Sequence, residues 1–253
     1  HTSIVSKKSK LDSTVEVGPF CTIGDDVTIN NETKLISHIN ISGNTTIGKN
    51  NLFYPFSSIG LEPQDLKYNG ERTNLVIGNN NTFREHVTVN IGTLGGGNFT
   101  NIGNNCLLMV GVHIAHDCQI KNNVVFANNA TLAGHVTIED NAIIGGLSAI
   151  HQFVRIGKFA MIGGMSGVEQ DIIPYGLYMG IRSNLRGLNI IGLKRKGLTT
   201  SEITELKKNY FLIFNKDKSI VENIENIKSS NNNEIKEIIN FIKEDSKRGI
   251  CGP

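Results

Sequence analysis

Residues 102–126 read IGNNCLLMVGVHIAHDCQIKNNVVF. Stepping by six from Ile102 lands on Leu108, Ile114, Ile120 and Phe126, each a large apolar residue. An α-helix repeats near 3.6 residues and a half-buried strand at 2, so neither produces a strict period of six. Downstream the step continues through Leu132, Ile138, Ile144, Ile150, Ile156 and Ile162 to Val168. Upstream it begins at Val5 and runs through Leu11, Val17, Ile23, Ile29, Leu35, Ile41, Ile47 and Phe53 to Ile59, then returns at Ile77, Phe83 and Val89. Two stretches interrupt it, GLEPQDLKYNGERTNLV (60–76) and IGTLGGGNFTN (91–101), the second shifting the phase by one. All 25 first positions are Ile, Leu, Val or Phe, which chance does not produce.

The fifth position of each hexad is small or β-branched, as at Ser9, Val15, Cys21, Val27, Thr33, Cys106, Val112, Cys118, Val124 and Ala130. The second is often glycine, for example Gly18, Gly24, Gly48, Gly78, Gly103, Gly145 and Gly157, where a turn is expected to need a permissive backbone. A parallel β-helix has this signature. Each hexad supplies a short strand and a corner, and three make a triangular coil of 18 residues with positions one and five turned inward. Stacked aliphatics then fill the core, which fits an aromatic content of only 6% and the absence of Trp. Cys21, Cys106 and Cys118 fall on the small inward position, so they read as packing rather than as ligands. The interruptions must leave the coil as loops, where a rigid scaffold commonly carries function.

The hexads end at IIPYG (172–176), and composition changes. The expected division is a β-helix over 1–174 and a C-terminal region over 175–253 with α-helices. TTSEITELKKNYFLIF opens with a capping box, Thr199 and Glu202, ahead of helically spaced Ile203, Leu206, Tyr210 and Ile213. Residues 218–227 and 233–243 read as two more amphipathic helices, and SKRGICGP (246–253) as a loose tail. The net charge of +2 does not argue for nucleic acid. No apolar run suffices to span a bilayer, and four cysteines without CxxC spacing fit a reduced, cytoplasmic protein.

His113 is at hexad position six, His116 at three, His135 at four and His151 at two, so none points inward. Residues 18 apart stack on adjacent coils about 4.8 Å apart. That aligns His116 with Gly134 and Gln152, and Asp117 with His135, and it gathers His151 into the same patch. His116 beside Asp117 fits a general base with an orienting carboxylate, and Gly134 could bring a backbone N–H to a developing oxyanion. Zinc is the rival. Against it, His113 and His116 straddle the inward Ile114, so a tetrahedral site would need a neighbouring chain.

HIAHDC (113–118), ANNATLAGHV (127–136), IIGGLSAIHQF (143–153), QDLKY (64–68) and NIIGLKRKG (189–197) together resemble the UDP-N-acetylglucosamine acyltransferases that open lipid A biosynthesis. The resemblance implies a left-handed β-helix and a cytoplasmic homotrimer. It implies transfer of a 3-hydroxyacyl chain from acyl carrier protein to the glucosamine 3-hydroxyl of UDP-N-acetylglucosamine. No metal or resident cofactor is implied, the 4'-phosphopantetheine arriving on the carrier protein. Residue by residue, His116 corresponds to the base, Asp117 to its holder and Gly134 to the oxyanion donor. His113, His135, His151, Gln152, Met161 and Gly164 correspond to sugar-nucleotide and acyl-chain contacts. Gln64, Asp65 and Lys67 correspond to loop groups that reach the site at a subunit boundary, and Asn189 and Arg195 to the uridine diphosphate end. Arg195 suits a diphosphate through its planar fork of donors. With Lys194, Lys196, Arg182, Arg186, Lys207 and Lys208 it makes a basic region suited to an acidic carrier protein.

This chain has Arg182 where the family often has His, Ile191 for a carboxylate and Lys196 for Arg. Ile191 bears on one contact to the nucleotide ribose, and Arg182 on the far end of the acyl groove. Gly164 corresponds to the position that limits chain length, and a glycine there leaves room for a longer acyl chain. Three other readings compete: a trimeric zinc enzyme similar to γ-class carbonic anhydrase, a non-catalytic carrier-protein-binding module, and the N-acyltransferase of the next lipid A steps. The last carries a uridine-binding domain ahead of its repeats, whereas repeats here start by Val5.

Overall fold

The computed structural model describes residues 2–181, 184–227 and 232–253. Among these residues short strands form three sheets of nine, eight and ten members. The first runs from Ile4–Val5 to Gly167–Val168 and the second from Lys10–Leu11 to Arg155–Ile156. The third begins at Glu16–Val17. Successive strands visit the three sheets in turn, which is a triangular coil. Register follows the expected repeat, with Ile114 opposite Leu132, Leu132 opposite Ile150 and Ile150 opposite Val168. At the interruptions the spacing widens, pairing Ile59 with Val89 and Ile77 with Ile102. Strands Ser58–Leu61 and Asn74–Ile77 bound the first loop, and Thr88–Asn90 and Phe99–Ile102 the second. Each loop passes from the first sheet to the second, so both leave the prism along one edge.

Ladder residues such as Ile41, Phe83, Ile114, Leu132 and Ile156 are fully buried, as are Cys106 and Cys118 at the small position. Burial pushes the Cys118 thiol up to about 12 and the Cys106 thiol to about 11, so both are inert fillers of the core. The glycines have a different purpose from the expected one. Positive φ occurs at the fourth position, on non-glycine residues that include Asp117 (61°), His135 (62°) and Phe153 (66°). Of the second-position glycines named above, all but Gly24 are instead needed for close approach between coils. A Cβ on Gly18 would lie 1.8 Å from the Ile36 carbonyl oxygen, and one on Gly157 2.3 Å from Pro174 N.

The sheets do not stop at IIPYG. Gly176–Met179 adds to the third sheet beside Met161–Ile162, and Asn184–Leu188 caps it as an antiparallel strand. This hairpin escapes hexad reading because Ile162 pairs with Tyr178, a slip from the repeat of 18. Among the described residues four helices follow: α1 (Ile190–Lys196), α2 (Thr200–Ile213), α3 (Ile220–Glu225) and α4 (Asn233–Lys243). The Thr199–Glu202 capping box is present, and a second one, Ser219–Glu222, opens α3. Ile203, Leu206, Tyr210 and Ile213 form the buried face of α2. Helix α1 lies within a stretch read only as a motif; it is short, and Asn189 caps it through Gly192 N.

The expected loose tail is a correction. Asp171 N donates to Gly249 O at 2.9 Å, Cys251 N to Asp171 O at 2.9 Å, and Leu185 N to Gly252 O at 3.0 Å. Cys251 is buried. The buried Asp171 carboxylate accepts from Ser246 Oγ at 2.6 Å and from Arg155 Nε at 2.7 Å. A polar octapeptide offers no periodicity, so this docking, which depends on a distant carboxylate, has no local signal. Among the described residues no helix is long and apolar enough to cross a membrane.

Candidate active site

The edge between the first and second sheets, where both loops leave, carries the histidine cluster. His116 Nδ1 lies 2.8 Å from Asp117 Oδ2, and His135 Nδ1 lies 3.8 Å from the same oxygen. His135 N donates to His116 O at 3.0 Å, and Phe153 N to Gly134 O at 3.1 Å, which stacks the three coils here. The His135 ring meets His116 edge-on and lies flat against Phe153 at 4.4 Å. The left-handed conformation at Asp117, tolerated by a short polar side chain, turns its carboxylate along this edge.

Two threonines complete the site and were not legible in the sequence. Thr93, on the glycine-rich loop, donates its N–H to Asp117 Oδ1 at 2.8 Å and its hydroxyl to Oδ2 at 2.6 Å. Thr100 Oγ1 accepts from Asp117 N at 2.8 Å. The loop packs so tightly that a Cβ on Gly96 would come within 1.9 Å of the Asp117 carboxylate carbon. Its three consecutive glycines were the one signal that a backbone approaches something closely there.

Burial pushes Asp117 up. Hydrogen bonds from His116 and from the Thr93 side chain and backbone outweigh it, and its carboxyl lies below the usual carboxylate range. Burial pulls His135 down against the opposing charge of Asp117, with His116 and Lys247 reinforcing the fall and Asp65 resisting it. Burial, with His116 adding, likewise holds His113 below the usual imidazole range. Its Nδ1 lies 2.7 Å from Thr88 Oγ1 on the adjoining strand.

Gly134 is buried, and among the described residues its N–H has no acceptor in the chain. Asn128 N and Gly146 N, at the same hexad position, likewise have no acceptor among the described residues, so the coil leaves such third-position donors free for an incoming acceptor. A Cβ on Gly134 would stand 2.5 Å from His116 Cε1 and 2.6 Å from Nε2, so only glycine fits beside that ring. His151 and Gln152 sit on the next coil, exposed, and are met by the tail: Arg248 Nε donates to Gln152 O at 2.8 Å, and Arg248 Nη2 reaches His151 Nδ1. Gln64, Asp65 and Lys67 lie on the first loop of this same edge, with Asp65 half-buried and close enough for its charge to act on His135.

The remaining sequence candidates lie elsewhere. Met161, Asn189 and Arg195 line a cavity of about 1040 Å³ on the third sheet, together with Ile191 and Lys196. The Asn189 amide is occupied within the chain, accepting from Gly192 N and donating to Phe159 O, both at 3.0 Å. Lys196 is tied to α4 through Glu234 Oε1 at 2.6 Å and to Tyr175 OH at 3.1 Å, so at this position a lysine braces the C-terminal helices. Lys194, Arg195, Lys207 and Lys208 are exposed. Gly164 lies on the edge between the third and first sheets, where a Cβ would meet Gly146 O at 3.2 Å. Arg182 lies outside the described residues.

Donor atoms of His116, Asp117 and His135 lie within 4.8 Å of one another, so three ligands could converge on an ion without a neighbouring chain. A tetrahedral site would still need a fourth ligand from elsewhere. The Asp117 oxygens are already committed to Thr93 and His116, as in an imidazole–carboxylate pair built for proton transfer.

Hexad coils with such a pair on one edge define a hexapeptide-repeat transferase, and a six-repeat bacterial transferase hexapeptide model matches residues 99–134. A second model, described as UDP N-acetylglucosamine O-acyltransferase, domain 2, matches residues 171–251. A Thermodesulfovibrio yellowstonii protein named acyl-[acyl-carrier-protein]–UDP-N-acetylglucosamine O-acyltransferase is 50% identical, over 99% of this chain and 97% of its own. A namesake from Rickettsia canadensis is 48% identical, over 99% and 96%. The solved Francisella novicida UDP-N-acetylglucosamine acyltransferase superposes with a TM-score of 0.95 at 36% identity, covering 100% of this chain and 93% of that one. That from Campylobacter jejuni gives 0.92 at 36% identity, over 100% and 98%. The chain belongs to the acyl-[acyl-carrier-protein]–UDP-N-acetylglucosamine O-acyltransferase family, and its fold is the left-handed parallel β-helix that the resemblance implies, with a small helical C-terminal part.

Proposed function

We propose that this chain transfers a 3-hydroxyacyl group from acyl carrier protein to the 3-hydroxyl of UDP-N-acetylglucosamine, the first step of lipid A biosynthesis, with His116 as general base. One observation carries the reading: an imidazole held by a buried carboxylate stands against buried Gly134, whose N–H has no acceptor among the described residues. In this scheme Asp117 accepts a hydrogen bond from His116 Nδ1–H, which leaves the Nε2 lone pair to take the proton of the sugar hydroxyl. The freed oxygen attacks the thioester carbonyl carbon, and the Gly134 N–H receives the oxyanion. The C–S bond then breaks, and the imidazolium returns its proton to the leaving thiolate of the carrier's phosphopantetheine. His116→Ala should lower kcat by about 10²–10⁴ while the coil stays folded, measured by transfer from acyl carrier protein thioesters. Retention of near-normal kcat would remove His116 from the role.

The working unit is a homotrimer. In one chain the His116 edge and the cavity with Arg195 occupy different faces, and Phe20, Phe56, Leu147 and Met165 are all more than half exposed along the edge between the third and first sheets. A heterologous, closed arrangement would cover that edge and bring one chain's His116 to another's Arg195. Mixing His116→Ala with Arg195→Ala chains tests it: reassembled mixtures should recover activity that neither variant has, and no recovery would place each site within one chain. In this reading Gln64, Asp65, Lys67, His113, His135, His151, Gln152, Met161, Gly164 and Asn189 serve substrate binding, no metal or resident cofactor takes part, and the enzyme works in the cytoplasm.

A further inference from the structure

The C-terminal segment belongs to no hexad and to no motif, yet it is folded against the coil that carries His151, Gln152 and Phe153. Much of its docking is made by groups other than its cations. Ser246 Oγ and the backbones of Gly249 and Cys251 hold it to Asp171, and Ser246 Oγ in turn accepts from Arg248 N at 3.1 Å and Gly249 N at 2.9 Å. That leaves the Arg248 guanidinium and the Lys247 ammonium facing the site. Arg248 meets Gln152 O and His151 Nδ1, and Lys247 Nζ lies 4.4 Å from the Phe153 ring centroid. Phe153 is the ring stacked on His135.

An arginine side chain has donors and no acceptor. The His151 nitrogen that it meets must therefore offer a lone pair, and the proton of the neutral ring resides on Nε2. The opposing arrangement, Nδ1–H donating to Gln152 O, has a length of 3.4 Å and competes for an oxygen already taken by Arg248 Nε at 2.8 Å. We propose that residues 246–251 are a positioning element of the transfer site, in which Arg248 locks the tautomer of His151 so that its Nε2–H donates to an uncharged oxygen of the acceptor sugar. The inference rests on the placement of His151 at the sugar end of the site. It adds what the motif strings do not contain, a second segment that decides which way the His151 donor is set. A neutral donor suits a hydroxyl or an amide carbonyl oxygen, and the lock spares the substrate the cost of selecting a tautomer on binding.

The test uses the full-length protein labelled with 15N-histidine, with the His151 signals assigned by their loss in His151→Gln. Free wild-type enzyme should show protonated Nε2 and unprotonated Nδ1, and Arg248→Met should show a mixture of tautomers. In the transfer assay Arg248→Met should raise the KM for UDP-N-acetylglucosamine about tenfold, the scale of one hydrogen bond, with kcat within about threefold of wild type. Arg248→Lys, which keeps a donor, should restore most of that KM. Because Asp171 and Ser246 hold the tail, the melting temperature should stay near that of wild type. Wild-type His151 protonated on Nδ1 would overturn the lock whatever the kinetics. An unchanged KM in Arg248→Met, with its tautomer altered, would overturn the sugar contact. A KM equally unchanged in His151→Gln would trace that failure to the placement of His151.

Discussion

Gly134→Ala should disable transfer without unfolding the protein. Gly134 has no positive φ, so its backbone accepts alanine, but the new methyl would stand 2.5 Å from His116 Cε1 and 2.6 Å from Nε2. Ordinary contact begins near 3.4 Å, so the imidazole must move by about 1 Å, and the reach needed to abstract a proton is lost; a misplacement of that size costs about 10² in rate. The His116 ring cannot retreat freely, because its Nδ1 is held at 2.8 Å by Asp117, which Thr93 grips through both carboxylate oxygens. Stability should fall by about 1–3 kcal/mol, the usual cost of overpacking. Gly24→Ala is the control, since its nearest neighbour would be at 3.4 Å. Steady-state transfer kinetics and thermal melts on both variants make the comparison. If Gly134→Ala kept half or more of wild-type kcat, the reacting groups would not lie between His116 and Gly134.

Thr93→Val removes one of the hydrogen bonds that hold the Asp117 carboxyl below its ordinary value, so that value should rise. A depressed carboxyl contributes stability in full above its unfolded pKa of about 3.9, and that stability is lost as pH falls through the folded value. The variant's acid unfolding midpoint should therefore move to higher pH, followed by circular dichroism; an unmoved midpoint would contradict the role given to the hydroxyl. Dialysis against a strong chelator should leave transfer unchanged. Loss of activity that returns with zinc would make the converging His116, Asp117 and His135 donors a metal site. His113, with its imidazole held below its usual range, should contribute stability that is full above its unfolded pKa of about 6.5 and declines as pH falls below it. His113→Gln should flatten the pH dependence of melting there, and an identical slope would count against burial as the cause.

The coil was legible because a solenoid makes sequence distance and spatial distance proportional. Between the second interruption and Val168 eighteen residues mean one coil, so His116, Gly134 and Gln152 could be stacked on paper, and the pairing of Ile114 with Leu132 confirms that register. Helices α2 and α4 were legible for a similar local reason, in a capping box and an apolar face. The glycine rule was misread because a composition of small residues does not distinguish an unusual φ from a close neighbour. Only coordinates show that Gly18 gives way to Ile36 while Asp117 and His135 carry the left-handed turns.

The sequence by itself determined the period, the inward ladder of Ile, Leu, Val and Phe, and the outward set of His116, Asp117, His135 and His151, because each follows from position within a hexad. Tertiary structure alone decided what surrounds them. Thr93 reaches Asp117 from 24 residues upstream on a loop without periodicity, and Arg248 reaches His151 from 97 residues downstream. Arg195 lies on another face altogether. Contacts made by loops and tails depend on where the chain is led in three dimensions, and no local propensity encodes that path.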